Sequence, residues 1–219
     1  MKFPLIVTNF KAYESAIGIQ ALELAKWHAE IAQETGVTMG VAVQSVDVFR
    51  VASQVALPVF SQHVDTISYG AYTGSSLPEA VRQAGAFGTL LNHSERRLPH
   101  EVLEQAVCRA KEAGLFVIVC VETPEEGSQV LKFGPDLIAV EPFELIGGTV
   151  SVSTARPEVI QEAVEKIGVG KVMVGAGIKN AEDVRLALKY GAVGVLLASG
   201  ITKAQAPELV LRDLALGAS

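Results

Sequence analysis

The chain has 219 residues, 49% of them hydrophobic and 19% charged, a balance that suits a well-buried globular protein and leaves no room for a long disordered arm. Its formal charge of -6, with basic pairs such as Arg96-Arg97 standing isolated, excludes the basic stripe that grips a phosphodiester backbone, so no nucleic-acid partner is expected. No window reaches the ~18 uninterrupted apolar residues of a membrane span, the start Met1-Lys2-Phe3-Pro4-Leu5 lacks a signal-peptide pattern, and Cys108 and Cys120 fit neither a zinc knuckle nor a redox pair; a cytoplasmic protein is expected.

Short apolar runs recur at Leu5-Asn9, Met39-Val43, Pro58-Gln62, Gly88-Asn92, Leu115-Cys120, Asp136-Glu141, Lys171-Gly175 and Val193-Leu197. They are too uniformly hydrophobic for one-sided strands and read as parallel strands covered on both faces. Between them lie helical stripes: Leu22, Ala25, Ala29 and Ala32; Val102, Leu103, Ala106, Val107 and Ala110; Val159, Ile160, Ala163, Val164 and Ile167. Gly36, Gly114 and Gly168 stand where these helices should stop. Strand then helix, repeated without a linker or a break in composition, predicts an α/β protein, a single (β/α)8 barrel over residues 1-219. The segment between strands 5 and 6 is short, so the outer helices are expected to be truncated around strands 4-6. The alternative, an open doubly wound sheet, usually carries a G-x-G-x-x-G turn after strand 1; here strand 1 leads into Asn9-Phe10-Lys11-Ala12-Tyr13.

In such a barrel, functional groups gather where the strands end and the following loops open on one face. Strand 1 offers Asn9 and Lys11, two residues apart and so on one face. Strand 4 offers His93, taken in step with Leu91 and Thr89, and strand 6 offers Glu141, in step with Ala139 and Leu137. Singly, each has a plainer reading, as a rim charge, a cap or a turn residue. Together they set an amide, an ammonium, an imidazole and a carboxylate at one mouth. The stretch Asn92-His93-Ser94-Glu95-Arg96-Arg97 reads as the start of a helix, whose positive end would keep the His93 imidazole neutral. Glu95 is either a dipole partner there or a proton shuttle. Small residues in the last two loops, Gly175-Ala176-Gly177 after strand 7 and Ala198-Ser199-Gly200 after strand 8, let backbone N–H groups approach a phosphate. Glu141-Pro142 opens a loop that closes on Gly147-Gly148-Thr149. His28, His63, His93 and His100 share no ligand spacing, and no metal is expected.

Asn9-x-Lys11, Asn92-His93-Ser94-Glu95-Arg96-Arg97, Glu141-Pro142 and the two small-residue turns resemble the triosephosphate isomerase family in order and spacing, over the whole chain. The resemblance implies a cofactor-free isomerase of glycolysis and gluconeogenesis that acts on a small phosphorylated triose. It makes Glu141 the base that moves a proton between two carbons of an enediol(ate), with His93 polarising the oxygens and Lys11 and Asn9 beside the developing charge. It places the phosphate against Gly147, Gly175, Ala176, Gly177, Ala198 and Ser199, and Cys120 behind the base. A carboxylate base, a neutral imidazole and a closing loop are this family's own known arrangement. Tyr72-Thr73-Gly74 resembles the family's interface loop, implying a homo-oligomer. The short chain, with Gly177 and Ser199 where the larger branch has serine and glycine, resembles the archaeal branch and favours a tetramer over a dimer. Phe143 departs from the family in the loop's first hinge, where a small or proline-like residue is common, and Gly147-Gly148-Thr149 departs from the usual Gly-Thr-Gly order. Among rivals, an aldolase would need its lysine on a later strand and a metal-dependent epimerase would need paired internal ligands. A silent barrel that only binds a phosphorylated metabolite would bind without exchanging the substrate's alpha proton.

Overall fold

A computed structural model describes residues 2-146 and 151-219. The strands β1 (Leu5–Asn9), β2 (Thr38–Val43), β3 (Val59–Ser61), β4 (Gly88–Leu91), β5 (Phe116–Val121), β6 (Leu137–Val140), β7 (Val172–Gly175) and β8 (Gly194–Leu197) pair in chain order, all parallel, and β8 closes on β1. The closure pairs Leu5 with Gly194 and Thr8 with Leu197, and because every pair is parallel all strand ends come to one rim. A parallel pair needs a crossover of a dozen or more residues, and helices supply it: α1 (Gly18–Thr35), α2 (Val48–Ala52), α3 (Pro78–Gln83), α4 (His100–Glu112), α5 (Pro124–Leu131), α6 (Val152–Ala155), α7 (Pro157–Ile167), α8 (Ala181–Lys189), α9 (Ser199–Thr202) and α10 (Pro207–Gly217). Of the crossover helices next to strands 4, 5 and 6, α3 and α5 are short while α4 keeps 13 residues.

Alternation along the strands divides the core in two. Leu5, Val7, Ala42, Phe60, Leu90, Ile118, Cys120, Leu137, Ala139, Met173 and Leu196 fill the barrel interior. Their neighbours, including Ile6, Val41, Leu91, Val119, Ile138, Val174 and Val195, pack outward against the helices. At the end where the strands begin, Phe60, Phe87 and Phe116 meet with ring centroids 5.4 to 6.3 Å apart. Gly88 lies beneath them: a Cβ there would stand 2.8 Å from the Phe60 ring. This floor is closely packed around the fully buried Phe60, with Phe87 at its edge reaching solvent, and side chains fill the interior as they do in small parallel barrels.

The helix stripes hold with one adjustment. In α4 and α7 the buried residues are those of the predicted stripe, except that Val102 is exposed and Val164 half-buried. In α1, Ala29 and Ala32 are only half-buried, and the deeper positions go to Leu24, His28 and Ile31. His28 fits among apolar neighbours because both ring nitrogens find partners, Nδ1 with Leu24 O at 2.7 Å and Nε2 with Thr8 Oγ1 at 2.8 Å. Burial drives its pKa down to about 4, against a smaller upward pull from the Leu24 carbonyl, so the ring is neutral at pH 7. Gly36, Gly114 and Gly168 follow their helices with positive φ. Among the described residues, no helix is long and apolar enough to cross a membrane.

Candidate active site

Asn9, Lys11, His93 and Glu141 come together at the rim where the strands end, in one pocket with Ala176, Gly177, Ala198, Ser199 and Gly200. Two of the four arrive by simple alternation. Asn9 continues the inward row Leu5, Val7, and Glu141 the inward row Leu137, Ala139.

His93 arrives differently from its sequence reading. Leu91 faces the helices and Leu90 the interior, so a strand continued from Leu91 would turn His93 away from the mouth. Asn92 breaks the alternation by adopting φ +61°, a left-handed conformation that Asn tolerates better than most residues. Its side chain is locked there, donating to Cys120 O at 2.9 Å and accepting from the Leu98 N–H at 2.9 Å.

The expected helix at His93 is also absent. Residues 94-95 form a turn, and α4 begins at His100. The imidazole is held neutral by other means. Burial lowers its pKa first, then the Lys11 charge, while Glu95 pulls the other way. The Glu95 backbone N–H donates to Nδ1 at 3.2 Å, which makes Nδ1 the acceptor and leaves the ring proton on Nε2. Nε2 then faces Glu141 Oε2 at 3.8 Å.

Glu141 is buried, and its Oε2 has no hydrogen-bond partner among the described residues. Burial raises its pKa to about 7, opposed by the Lys11 charge and the neighbouring Cys120 thiol. The Cys120 thiol is itself pushed well up by burial and then by Glu141, and stays protonated. Under the carboxylate lies Gly175: a Cβ there would come within 2.6 Å of Glu141 Cγ and closer still to Oε1. Gly175 therefore seats the carboxylate and does not line the pocket, unlike Ala176 and Gly177 beside it.

Lys11 takes φ +50°, with its N–H donated to Asn9 Oδ1 at 3.0 Å. Its ammonium meets Glu95 Oε1 at 2.8 Å, and the other oxygen of Glu95 stands 3.6 Å from His93 Nδ1. Glu95 thus touches both groups while remaining solvent-exposed. One residue escaped the sequence reading: the Gln62 amide spans Asn9 Oδ1 at 3.3 Å, Lys11 O at 2.9 Å and Ala42 O at 3.3 Å, tying the ends of β1, β2 and β3. Its parity with inward Phe60 was the available signal.

Ala176 and Gly177 both take left-handed φ, +72° and +74°. The backbone N–H groups of Gly177, Ala198, Ser199 and Gly200 donate to no acceptor among the described residues. Gly147 lies outside the described residues. Phe143 begins a single short turn, Phe143–Leu145, and is 65% exposed. Tyr72 is also exposed, as are Tyr69, Val46 and Phe49. No group of three or more His, Cys, Asp or Glu among the described residues could hold a metal ion.

Comparison with known proteins adds to this geometry. The family model of triosephosphate isomerase matches residues 4–214. A triosephosphate isomerase of Methanosarcina barkeri is 48% identical over 98% of each chain. One from Metallosphaera sedula is 46% identical over 100% of this chain and 97% of its own. One from Methanocaldococcus jannaschii is 45% identical over 96% of this chain and 98% of its own.

Proposed function

The chain belongs to the triosephosphate isomerase family, and on that premise we propose that it interconverts dihydroxyacetone phosphate and D-glyceraldehyde 3-phosphate, without a cofactor, through an enediol(ate). The observation that carries this reading is a buried carboxylate, Glu141, with one oxygen unpartnered among the described residues, a pKa of about 7 and a neutral Nε2–H opposite. Removing a proton alpha to a carbonyl leaves charge on oxygen, so a base is needed on one side and fixed donors on the other. Glu141 takes the proton from one carbon and returns it to the next. His93 Nε2–H donates to the oxygens as charge develops, and the Lys11 ammonium and Asn9 amide stand beside them. Depressed basicity keeps His93 a neutral donor, and raised basicity makes Glu141 an effective acceptor near neutral pH.

The phosphate lies against the N–H groups of Gly177, Ala198 and Ser199, which have no acceptor among the described residues, supported by the small side chains there. The loop opened by Pro142 closes over it, with Gly147 as a further donor, and Glu95 stays a salt-bridge partner of Lys11 and a candidate shuttle. The whole chain acts as one catalytic domain, assembled as a homo-oligomer, a tetramer before a dimer, through the Tyr72-Thr73-Gly74 loop; its exposed tyrosine supports this, and sedimentation distinguishes the states.

A coupled assay on glyceraldehyde 3-phosphate tests the reading. Wild type turns over, and Glu141→Gln loses about 10²- to 10⁴-fold in kcat, the range general-base catalysis supplies. Absent wild-type turnover overturns the activity; unchanged turnover in the variant overturns the base.

A further inference from the structure

Asp183 is a carboxylate that none of the chemistry above uses. It lies in the first turn of α8 and is 5% exposed. A helix's first turn is an ordinary place for an acid, and one of its oxygens has that ordinary work: Oδ2 accepts the Lys179 N–H at 2.9 Å. Capping of α8 itself is done by Asn180, whose Oδ1 accepts the Asp183 N–H at 3.0 Å. The other oxygen is not explained by the helix. Oδ1 reaches across to a different element and accepts from the Ser151 and Thr154 hydroxyls, the latter at 3.2 Å. Ser151 in turn caps α6 by accepting the Thr154 N–H at 3.2 Å.

Both groups that Asp183 holds adjoin the turn after β7. Lys179 follows that turn two residues after Gly177. On its other side, the Val152 N–H, one residue from Ser151, donates to Ala176 O at 3.1 Å. The turn therefore has a strained residue, Ala176, beside Gly177, and two tethers that converge on one buried carboxylate. Left-handed φ at a non-glycine residue persists only where its surroundings over-determine it, and this convergence supplies the determination.

We propose that Asp183 is a positioning residue for the reaction, holding the Ala176-Gly177 turn in the shape that grips the substrate's phosphate. The proposal rests on the assignment of that turn to phosphate in the proposed function. Its signature is chemical. An enediolate whose phosphate is loosely held can expel it: the C–O bond to phosphate breaks, inorganic phosphate leaves with the electron pair, and the remaining enol becomes 2-oxopropanal. With the non-enzymatic background subtracted, the ratio of phosphate released to substrate isomerised is independent of how much enzyme is folded, so lost stability alone does not move it.

The test measures that ratio, with kcat and KM, for wild type, Asp183→Asn, Ser151→Ala and Ser151→Thr. Asn keeps the shape but puts an amide donor where one accepting oxygen stood; Ser151→Ala removes one partner of Oδ1 and leaves the Lys179 contact in place. We expect Asp183→Asn to raise the elimination ratio about tenfold and KM by a similar factor, about 1.4 kcal/mol of lost grip. Ser151→Ala moves both in the same direction by less, and Ser151→Thr, which restores the hydroxyl, returns them to wild type. An unchanged ratio and KM in both Asp183→Asn and Ser151→Ala, with wild type active, overturns the proposal. Should Asp183→Asn fail to fold, the Ser151 pair decides alone. Failure of the functional reading looks different: wild type itself shows no isomerisation.

Discussion

The two ends of the barrel solve opposite problems with the same strands. At the floor, Phe60, Phe87 and Phe116 interlock over Gly88, and packing around the buried Phe60 is close. At the mouth, β1, β4 and β7 each run out through a left-handed non-glycine residue, Lys11, Asn92 and Ala176. Among the described residues, a carboxylate oxygen there is buried without a partner, and four backbone N–H groups have no acceptor. One end stores stability; the other gives it up for a charged, unsatisfied cavity. A parallel barrel permits this division because all its strands end on the same side.

The largest effect expected from this contrast belongs to the floor. Phe60→Ala should cost about 3–5 kcal/mol of stability, the usual loss for a buried aromatic, with turnover per folded molecule unchanged; denaturant titration beside an activity assay measures both. A fall in turnover matching the fall in stability would mean that the two ends are not separable.

Next comes the pH dependence, where two buried groups oppose each other, Glu141 inside the mouth and His28 on the outer face of β1. Glu141 has its folded pKa raised from 4.5 to about 7. It therefore binds a proton in the folded state that the unfolded chain has released, and stability falls as pH rises from 4.5 to 7. His28, buried between α1 and β1, has its folded pKa lowered from 6.5 to about 4. Its contribution is present above pH 6.5 and lost as pH falls toward 4. Glu141→Gln should accordingly gain about 3 kcal/mol on wild type between pH 4 and pH 8, read as the difference between two stability curves. A difference that stays constant across that range would show that the carboxylate is not held at a cost.

The third effect is kinetic. Gly175→Ala puts a methyl group against the Glu141 side chain and should slow turnover about 100-fold by displacing the proposed base, while stability changes far less than in Phe60→Ala. Unimpaired turnover would mean that the carboxylate works from another position.

What the amino-acid order reveals follows the same division. The strands, the closed barrel and the inward set at Asn9 and Glu141 are legible because period-two alternation is local and the runs are uniformly apolar. His93 was reached by that alternation for the wrong reason: Asn92 in a left-handed conformation reverses the parity, and no periodicity announces such a residue. Its neutral ring was ascribed to a helix dipole, whereas the structure supplies burial, Lys11 and one turn N–H. Gln62 stood in step with Phe60 but reads as an ordinary strand end until three separate acceptors converge on it. Asp183 was invisible because its second oxygen acts across a distance in sequence that no local pattern records.

The left-handed residues at the rim have a consequence for how the chain can drift. At positions 11 and 176 the backbone asks for glycine, which reaches such a conformation without the roughly 1–2 kcal/mol that other residues incur. Selection for thermal endurance alone would pull both toward glycine. At Lys11 that pull would erase the ammonium that faces Glu95 and lowers the basicity of His93. At Ala176 it would remove a single methyl and set loose the backbone that Val152 and Asp183 restrain. The two positions thus carry a conformational cost that glycine would lift, at Lys11 in exchange for the ammonium and at Ala176 in exchange for a fixed turn.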